Sequence, residues 1–257
     1  MLGHQARKRF GQNFLADPHY IKRIVDAVDP KPGDNIVEIG PGLAAITADL
    51  VARAGRIAAV EIDRDLAARL RAQFAPASLE LHEADALEFD FATLGNDLRI
   101  VGNLPYNVSS PLLFRFVQYA DRLRDVHVML QREVVARMAA APDTPDYGRL
   151  TVMLQAAFRI TRLFVVPGGA FRPAPKVESA VARLIPLRED RPLIADQAAF
   201  ARTVAAAFAQ RRKTLRNALS ALASADDIAR AGIDPALRGE ALSVADFVRL
   251  ANALAGK

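Results

Sequence analysis

Asn35-Ile-Val-Glu-Ile-Gly-Pro-Gly-Leu43 decides the fold. Asn35–Ile39 reads as a buried strand, and the glycines on either side of Pro41 turn it into a helix expected over Ala44–Ala54. Glycine at a strand-to-helix corner lets the backbone approach a ligand closely, which is how a Rossmann-type βαβ unit begins. The next strand, expected over Arg56–Val60, ends at Glu61, roughly 20 residues beyond the first glycine. Such folds place there a carboxylate that accepts hydrogen bonds from ribose hydroxyls. Gly40, Gly42 and Ala45 also satisfy the loose dinucleotide fingerprint, so NAD is open as a cofactor at this point. Pro41 weighs against it, because it removes an N–H from the turn that would hold a pyrophosphate.

Working outward, a helix over Asp65–Phe74 and a short strand over Leu79–His82 lead to Asp85, a carboxylate placed to accept from an adenine amino group. The strand-like run Leu98–Gly102 ends at Asn103-Leu-Pro-Tyr106. Gly40, Glu61, Asp85 and Asn103 thus stand at four successive strand ends, and open α/β sheets bind ligands beyond the carboxyl ends of their strands. The fourth end carries its own chemistry. A planar exocyclic amine is a poor nucleophile because its lone pair is spread into the ring. The Asn103 side-chain oxygen and the Leu104 carbonyl are two acceptors that can hold both N–H bonds and favour a localised lone pair. Pro105 fixes φ and brings no competing N–H. Tyr106 offers a face on which a base can stack, worth roughly 1–3 kcal/mol per base.

At the start of the chain, Asp17-Pro18 is a helix-opening pair for His19–Val28. The lead-in Arg7–Leu15, with Gln12 and Asn13, is either a lid over the ligand or a poorly ordered terminus, and its spacing favours the terminus. Beyond Tyr106, Ser110-Pro111 starts a helix that turns Leu112, Leu113, Phe116 and Val117 to the core. A strand over Asp125–Leu130, helices over Arg132–Ala140 and Arg149–Phe158, and strands over Thr161–Val166 and Ser179–Pro186 follow. The Pro-rich connection 167–177 offers Phe171 as a second face for the base and Lys176 as a phosphate contact. Charged, turn-prone Arg188-Glu-Asp-Arg-Pro192 then marks a break, after which Ala-rich helices are expected over Ala198–Phe208, Gln210–Leu222, Ala225–Ala231 and Ser243–Leu254. The expected division is an α/β domain, 1–187, and a small all-helical domain, 188–257.

With 257 residues, 51% of them hydrophobic, the chain can bury a substantial core. It has no cysteine, which excludes a disulfide frame and thiolate metal ligation, and its four histidines lack ligand spacing, so no metal site is expected. The first ten residues are basic without an apolar core, and no apolar run approaches the ~20 residues of a membrane span, so a cytoplasmic protein is expected. A formal charge of +5 is compatible with a phosphate-rich partner. Two dense basic spots, Arg7-Lys8-Arg9 and Arg211-Arg212-Lys213 with Arg216, are the candidates to meet it.

Five segments, in order, resemble the ribosomal RNA adenine N6,N6-dimethyltransferases that act on the bacterial small subunit. They are Arg9-Phe-Gly-Gln-Asn-Phe-Leu15, Val37-Glu-Ile-Gly-Pro-Gly-Leu43, Gly102-Asn-Leu-Pro-Tyr106, Phe171-Arg-Pro-Ala-Pro-Lys-Val177 and Gln210-Arg-Arg-Lys-Thr-Leu-Arg-Asn217. The resemblance implies a Rossmann-like class I methyltransferase sheet of seven strands with a helical C-terminal domain. It implies S-adenosyl-L-methionine as donor, contacted at Asn13, Leu15, Gly40, Glu61, Asp85 and Asn103. The implied substrate is a pair of adjacent adenines in the 3′-terminal hairpin loop of small-subunit rRNA, within an assembling 30S subunit. A monomer is expected.

Overall fold

A computed structural model describes residues 13–255. Their contacts divide the chain into two compact units. One comprises residues up to Val135 together with Ile160–Pro186, and the other Ala136–Arg159 together with the chain from Leu187 onward.

The first unit is built on a seven-stranded sheet. In chain order its elements are β1 (Phe14–Leu15), α1 (Pro18–Val28), β2 (Asn35–Ile39), α2 (Thr47–Ala54), β3 (Ile57–Glu61), α3 (Arg64–Gln73), β4 (Leu79–Glu83), β5 (Leu98–Asn103), α4 (Ser109–Gln118) and β6 (Leu123–Gln131). After α5 (Arg132–Met138) and α6 (Arg149–Gln155) come β7 (Phe158–Val166), β8 (Phe171–Arg172) and β9 (Ser179–Pro186). The sheet order is β4-β3-β2-β5-β6-β9-β7, while β1 and β8 form a separate two-stranded antiparallel pair. Strands β4, β3, β2, β5 and β6 run parallel, and β9 runs antiparallel to β6. From β2 the chain winds outward through β3 and β4, then returns to lay β5 on the other side of β2. That reversal opens a crevice at the carboxyl ends of β2 and β5, where Gly40 and Asn103 lie.

Local chemistry explains most element ends. Asp17 caps α1 by accepting from the His19 N–H at 2.9 Å, with Pro18 as first helical residue. Ile24, Val25 and Val28 bury that helix against the sheet in one apolar cluster with Ile36, Val101, Met129 and Val181. Asp63 caps α3 through the N–H groups of Asp65 and Leu66. The α2 helix begins later than its expected start at Ala44, because the chain after β2 is held in left-handed conformations at Gly40 (φ 64°), Gly42 (φ 58°) and Ala44 (φ 65°). Two of these are cheap for glycine; the third is uncommon for alanine, and the turn has to be completed before a right-handed helix can start. At Gly102 a side chain has no room, since a Cβ would lie 2.8 Å from the Ile39 carbonyl oxygen.

The second unit is helical, with α7 (Gln197–Ala209), α8 (Leu215–Ala218), α9 (Ala225–Arg230) and α10 (Val244–Leu254) following α6. It is larger than the expected 188–257. Tyr147, Val152 and Ala156 bury in one cluster with Phe200, Val204, Leu215, Ile228, Phe247 and Leu250, and the Tyr147 hydroxyl donates to the Leu242 carbonyl at 2.7 Å. Residues 136–159 therefore group with the C-terminal helices. The continuous helix expected over Gln210–Leu222 is also absent. The chain turns at 210–214 and only Leu215–Ala218 is helical. The N–H of Leu215 donates to the Leu237 carbonyl and that of Arg216 to Pro235, so a neighbouring loop takes the bonds a preceding helical turn would have received.

Candidate functional site

The four strand ends singled out in the sequence come together. Gly40, Glu61, Asp85 and Asn103 line one cavity, which Asn13, Leu15, Leu104, Pro105 and Tyr106 also line. Its first wall is the turn after β2. The Gly42 N–H donates to Glu61 Oε2 at 3.1 Å and the Asp63 N–H to Glu61 Oε1 at 2.9 Å. Glu61 is almost wholly buried, and burial raises its pKa above the ordinary carboxylate value against the pull of those N–H donors. Each oxygen keeps a second lone pair, so the carboxylate can still accept a hydroxyl from the cavity. After β4, Asp85 Oδ1 accepts from the Leu87 N–H at 2.8 Å, a local bond that holds the loop with the carboxylate on the lining.

The Asn103 corner is held on both sides. Asn103 Nδ2 donates to the Asn13 carbonyl at 3.0 Å. The Leu104 side chain is buried and its N–H donates to the Met129 carbonyl at 3.1 Å. Tyr106 is half-buried, and its hydroxyl shares a 2.8 Å hydrogen bond with Ser179 Oγ. Burial raises the phenol pKa while Ser179 opposes the shift, so at neutral pH the ring is an uncharged platform fixed at its far end.

Two side chains and one segment are placed otherwise than expected. Phe171 has no exposed surface: it sits in β8, buried in the cluster with Leu15, Ile24 and Val166, and is not part of the cavity lining. An apolar ring with a core to fill goes there rather than stand over a ligand. Arg211 is committed locally, donating to the carbonyls of Pro145 and Tyr147 at 3.0 and 3.3 Å and pairing with Glu240 at 3.4 Å. The lead-in, read as a poorly ordered terminus, is strapped down from Phe14. Phe14 pairs with Arg172 and Leu15 with Phe171, and the N–H groups of Ala16 and Asp17 both donate to the Ala170 carbonyl. Lys176, Arg212, Lys213 and Arg216 are exposed, as is the rest of the Arg211 side chain. Arg7, Lys8 and Arg9 lie outside the described residues.

Two cavity-lining residues were not singled out as chemistry-bearing. Glu38 pairs across β2 and β5 with Val101, and Val101 pairs in turn with His127 on β6, so all three lie in one row of the sheet. Glu38 is 1% exposed; burial pushes its pKa up to about 8, opposed by Thr47 and reinforced by the Glu61 charge. Among the described residues neither Glu38 Oε2 nor Thr47 Oγ1 has a hydrogen-bond partner of normal geometry. His127 is equally buried, with Nδ1 3.6 Å from Asp125 Oδ1. A charged residue inside an otherwise apolar strand is the signal that would have found Glu38.

Comparison with known proteins agrees with this geometry. The family model "Ribosomal RNA adenine dimethylase" matches residues 3–256. "Ribosomal RNA small subunit methyltransferase A" of Aromatoleum aromaticum is 58% identical over all of this chain and 97% of its own length. The protein of that name from Thiobacillus denitrificans is 59% identical over 95% of this chain and 96% of its own. Among solved structures, a dimethyladenosine transferase from Plasmodium falciparum has the same fold, with a TM-score of 0.79 at 24% identity over 92% of this chain and 95% of its own. The 23S rRNA methyltransferase ErmE superposes with a TM-score of 0.70 at 26% identity, over 94% and 99%. A class I methyltransferase sheet, a cavity at its switch point and a full-length match to one family model lead to one conclusion: the chain belongs to the ribosomal RNA adenine dimethylase family.

Proposed function

We infer that this protein transfers methyl groups from S-adenosyl-L-methionine to N6 of two adjacent adenines in the 3′-terminal hairpin loop of small-subunit rRNA, giving N6,N6-dimethyladenosine during ribosome biogenesis. Family membership supplies the reaction class. The observation that carries the assignment of residues is the convergence of Gly40, Glu61, Asp85 and Asn103 on one cavity. The cavity fits such a donor: two left-handed glycines bring backbone close to a ligand, and Glu61 keeps lone pairs for ribose hydroxyls. Glu61 would hold the ribose, Asp85 the adenine of the cofactor, and Asn13, Leu15 and Gly40 the remainder. When bound, the cofactor supplies a methyl group made electrophilic by its sulfonium.

The rest is the work of this chain. The target adenine leaves its stack and lies on Tyr106. In the first transfer Asn103 Oδ1 and the Leu104 carbonyl accept its two N–H bonds, and in the second one of them accepts the single N–H that remains; either way the nitrogen lone pair points at the methyl carbon, so positioning supplies most of the catalysis. The nitrogen would gain the methyl carbon as its bond to sulfur breaks, the electron pair staying on what becomes a neutral thioether, and would shed a proton to water or a neighbouring carbonyl, since the N-methylated ammonium is strongly acidic. Lys176, Arg212, Lys213 and Arg216, with Arg7, Lys8 and Arg9, are assigned to RNA phosphates. The partner is an assembling 30S subunit, and the protein acts as a cytoplasmic monomer.

Purified protein, labelled donor and small subunits lacking the modification test this directly. Mass analysis of the RNA should place two dimethylated adenines in the 3′-terminal loop. Label absent altogether, or placed elsewhere in the small-subunit RNA, or incorporated only when large subunits replace the small ones in a parallel reaction, would reject the assignment.

A further inference from the structure

We propose that the β1 strap sets the catalytic amide, making the Asn13 backbone carbonyl and the buried ring of Phe171 positioning groups for Asn103. This rests on the assignment of Asn103 Oδ1 as an acceptor for the target amine. An Asn side chain presents an oxygen and an NH2 that differ only in hydrogen bonding, so whichever neighbour meets it decides which end faces the substrate. A carbonyl can receive only the NH2. The 3.0 Å bond from Asn103 Nδ2 to the Asn13 carbonyl therefore turns Oδ1 away from the strap, and no described residue donates to that oxygen.

The carbonyl is held in turn by two further contacts. Asn13 immediately precedes β1, whose Phe14 and Leu15 pair with Arg172 and Phe171 of β8. The β8 strand is pinned by Phe171, whose ring has no exposed surface and packs with Leu15, Ile24 and Val166. The ring of Phe14 lies against Gly42, where a Cβ would meet its Cε1 at 3.2 Å, and the Gly42 N–H binds Glu61. One short strap thus touches both the Asn103 corner and the glycine turn. Phe171, in a segment that the sequence assigns to base stacking, acts two steps away from the base. The strap also accounts for amide rather than carboxylate at position 103, because an aspartate would set a negative oxygen against the Asn13 carbonyl.

The test combines kinetics with the amide itself. In protein labelled with ¹⁵N-asparagine, the Asn103 NH2 signal is identified by its loss in Asn103→Ala. In the wild type, one of its two protons should exchange with solvent distinctly more slowly than in free asparagine. In Phe171→Leu that protection should be lost, and kcat at saturating donor should fall about tenfold while KM for the rRNA holds. A folded Phe171→Leu with kcat within about twofold of wild type overturns the proposal. If that variant does not fold, the wild-type exchange rate decides: an unprotected Asn103 amide overturns the proposal and a protected one supports it. Failure of the underlying assignment looks different, because Asn103→Ala would then turn over normally.

Discussion

At the scale of single residues, Asn103 and Glu38 make separable predictions. Asn103→Asp keeps oxygen acceptors but has no hydrogen to give the Asn13 carbonyl, 3.0 Å from Nδ2 in the native chain. Its turnover should fall about a hundredfold, as in Asn103→Ala, with donor affinity changed far less. Paired single-turnover and calorimetric measurements check this. Glu38 is held uncharged: its ordinary pKa of 4.5 is pushed up to about 8 by burial. Between those values the unfolded chain gives up a proton that the folded chain keeps. The contribution of this group is therefore fully favourable below about pH 4.5 and is lost as pH rises towards 8. Glu38→Gln removes the titration, so its stability relative to wild type should improve from pH 5 to pH 8 by a few kcal/mol, read from urea unfolding at both values.

At the scale of elements, Arg99 ties together what the sheet leaves loose at the end opposite the cavity. From β5 its guanidinium binds the Val28 carbonyl at the end of α1 (2.6 Å), Asp34 ahead of β2 (2.6 Å) and Asp125 on β6 (2.8 Å). Asp34 is bound from its other side by Arg124 at 2.6 Å. Arg99→Met would leave two largely buried carboxylates short of a partner, and should cost about 3–5 kcal/mol in a urea titration without changing donor affinity. Neither this network nor the strap was legible in the sequence, since both depend on residues tens of positions apart. The strand ends were legible because a parallel sheet forces them to one edge, so Gly40, Glu61, Asp85 and Asn103 had to be neighbours once four strands were recognised. The same logic failed for Phe171, where a Pro-rich setting suggested an exposed wall and β8 instead folded the ring inward. It failed also for residues 136–159, because an apolar periodicity such as that of Tyr147, Val152 and Ala156 does not say which core it will join.

At the scale of the whole molecule, a formal charge of +5 does not itself make an RNA-binding surface, and the disposition of the charges matters more. Many cations are already spent. Arg53 pairs with Asp26, Arg71 with Glu83, Arg132 with Glu178, Arg230 with Asp227 and Arg249 with Asp246. Arg211 belongs with them. Arg212, Lys213 and Arg216 differ: exposed like most of the others, they make no ion pair among the described residues, and they stand on a turn clasped to 235–238 through the Leu215 and Arg216 N–H groups and an antiparallel bridge between Thr214 and Arg238. Fixing the backbone of that turn lowers the entropy lost when its side chains settle on phosphates. If all three do so, their joint replacement by Ala should weaken rRNA binding and reduce the slope of log K against log salt by roughly 2–3, since each phosphate neutralised contributes about 0.7–0.9. Arg211→Ala alone should instead lower stability by about 1 kcal/mol through its lost carbonyl bonds and leave the salt slope nearly unchanged. Equilibrium binding across a salt series separates the two. An unchanged slope in the triple variant would mean that these cations only face solvent, and the electrostatic contact with RNA would have to lie elsewhere, with Arg7, Lys8, Arg9 and Lys176 the next residues to replace.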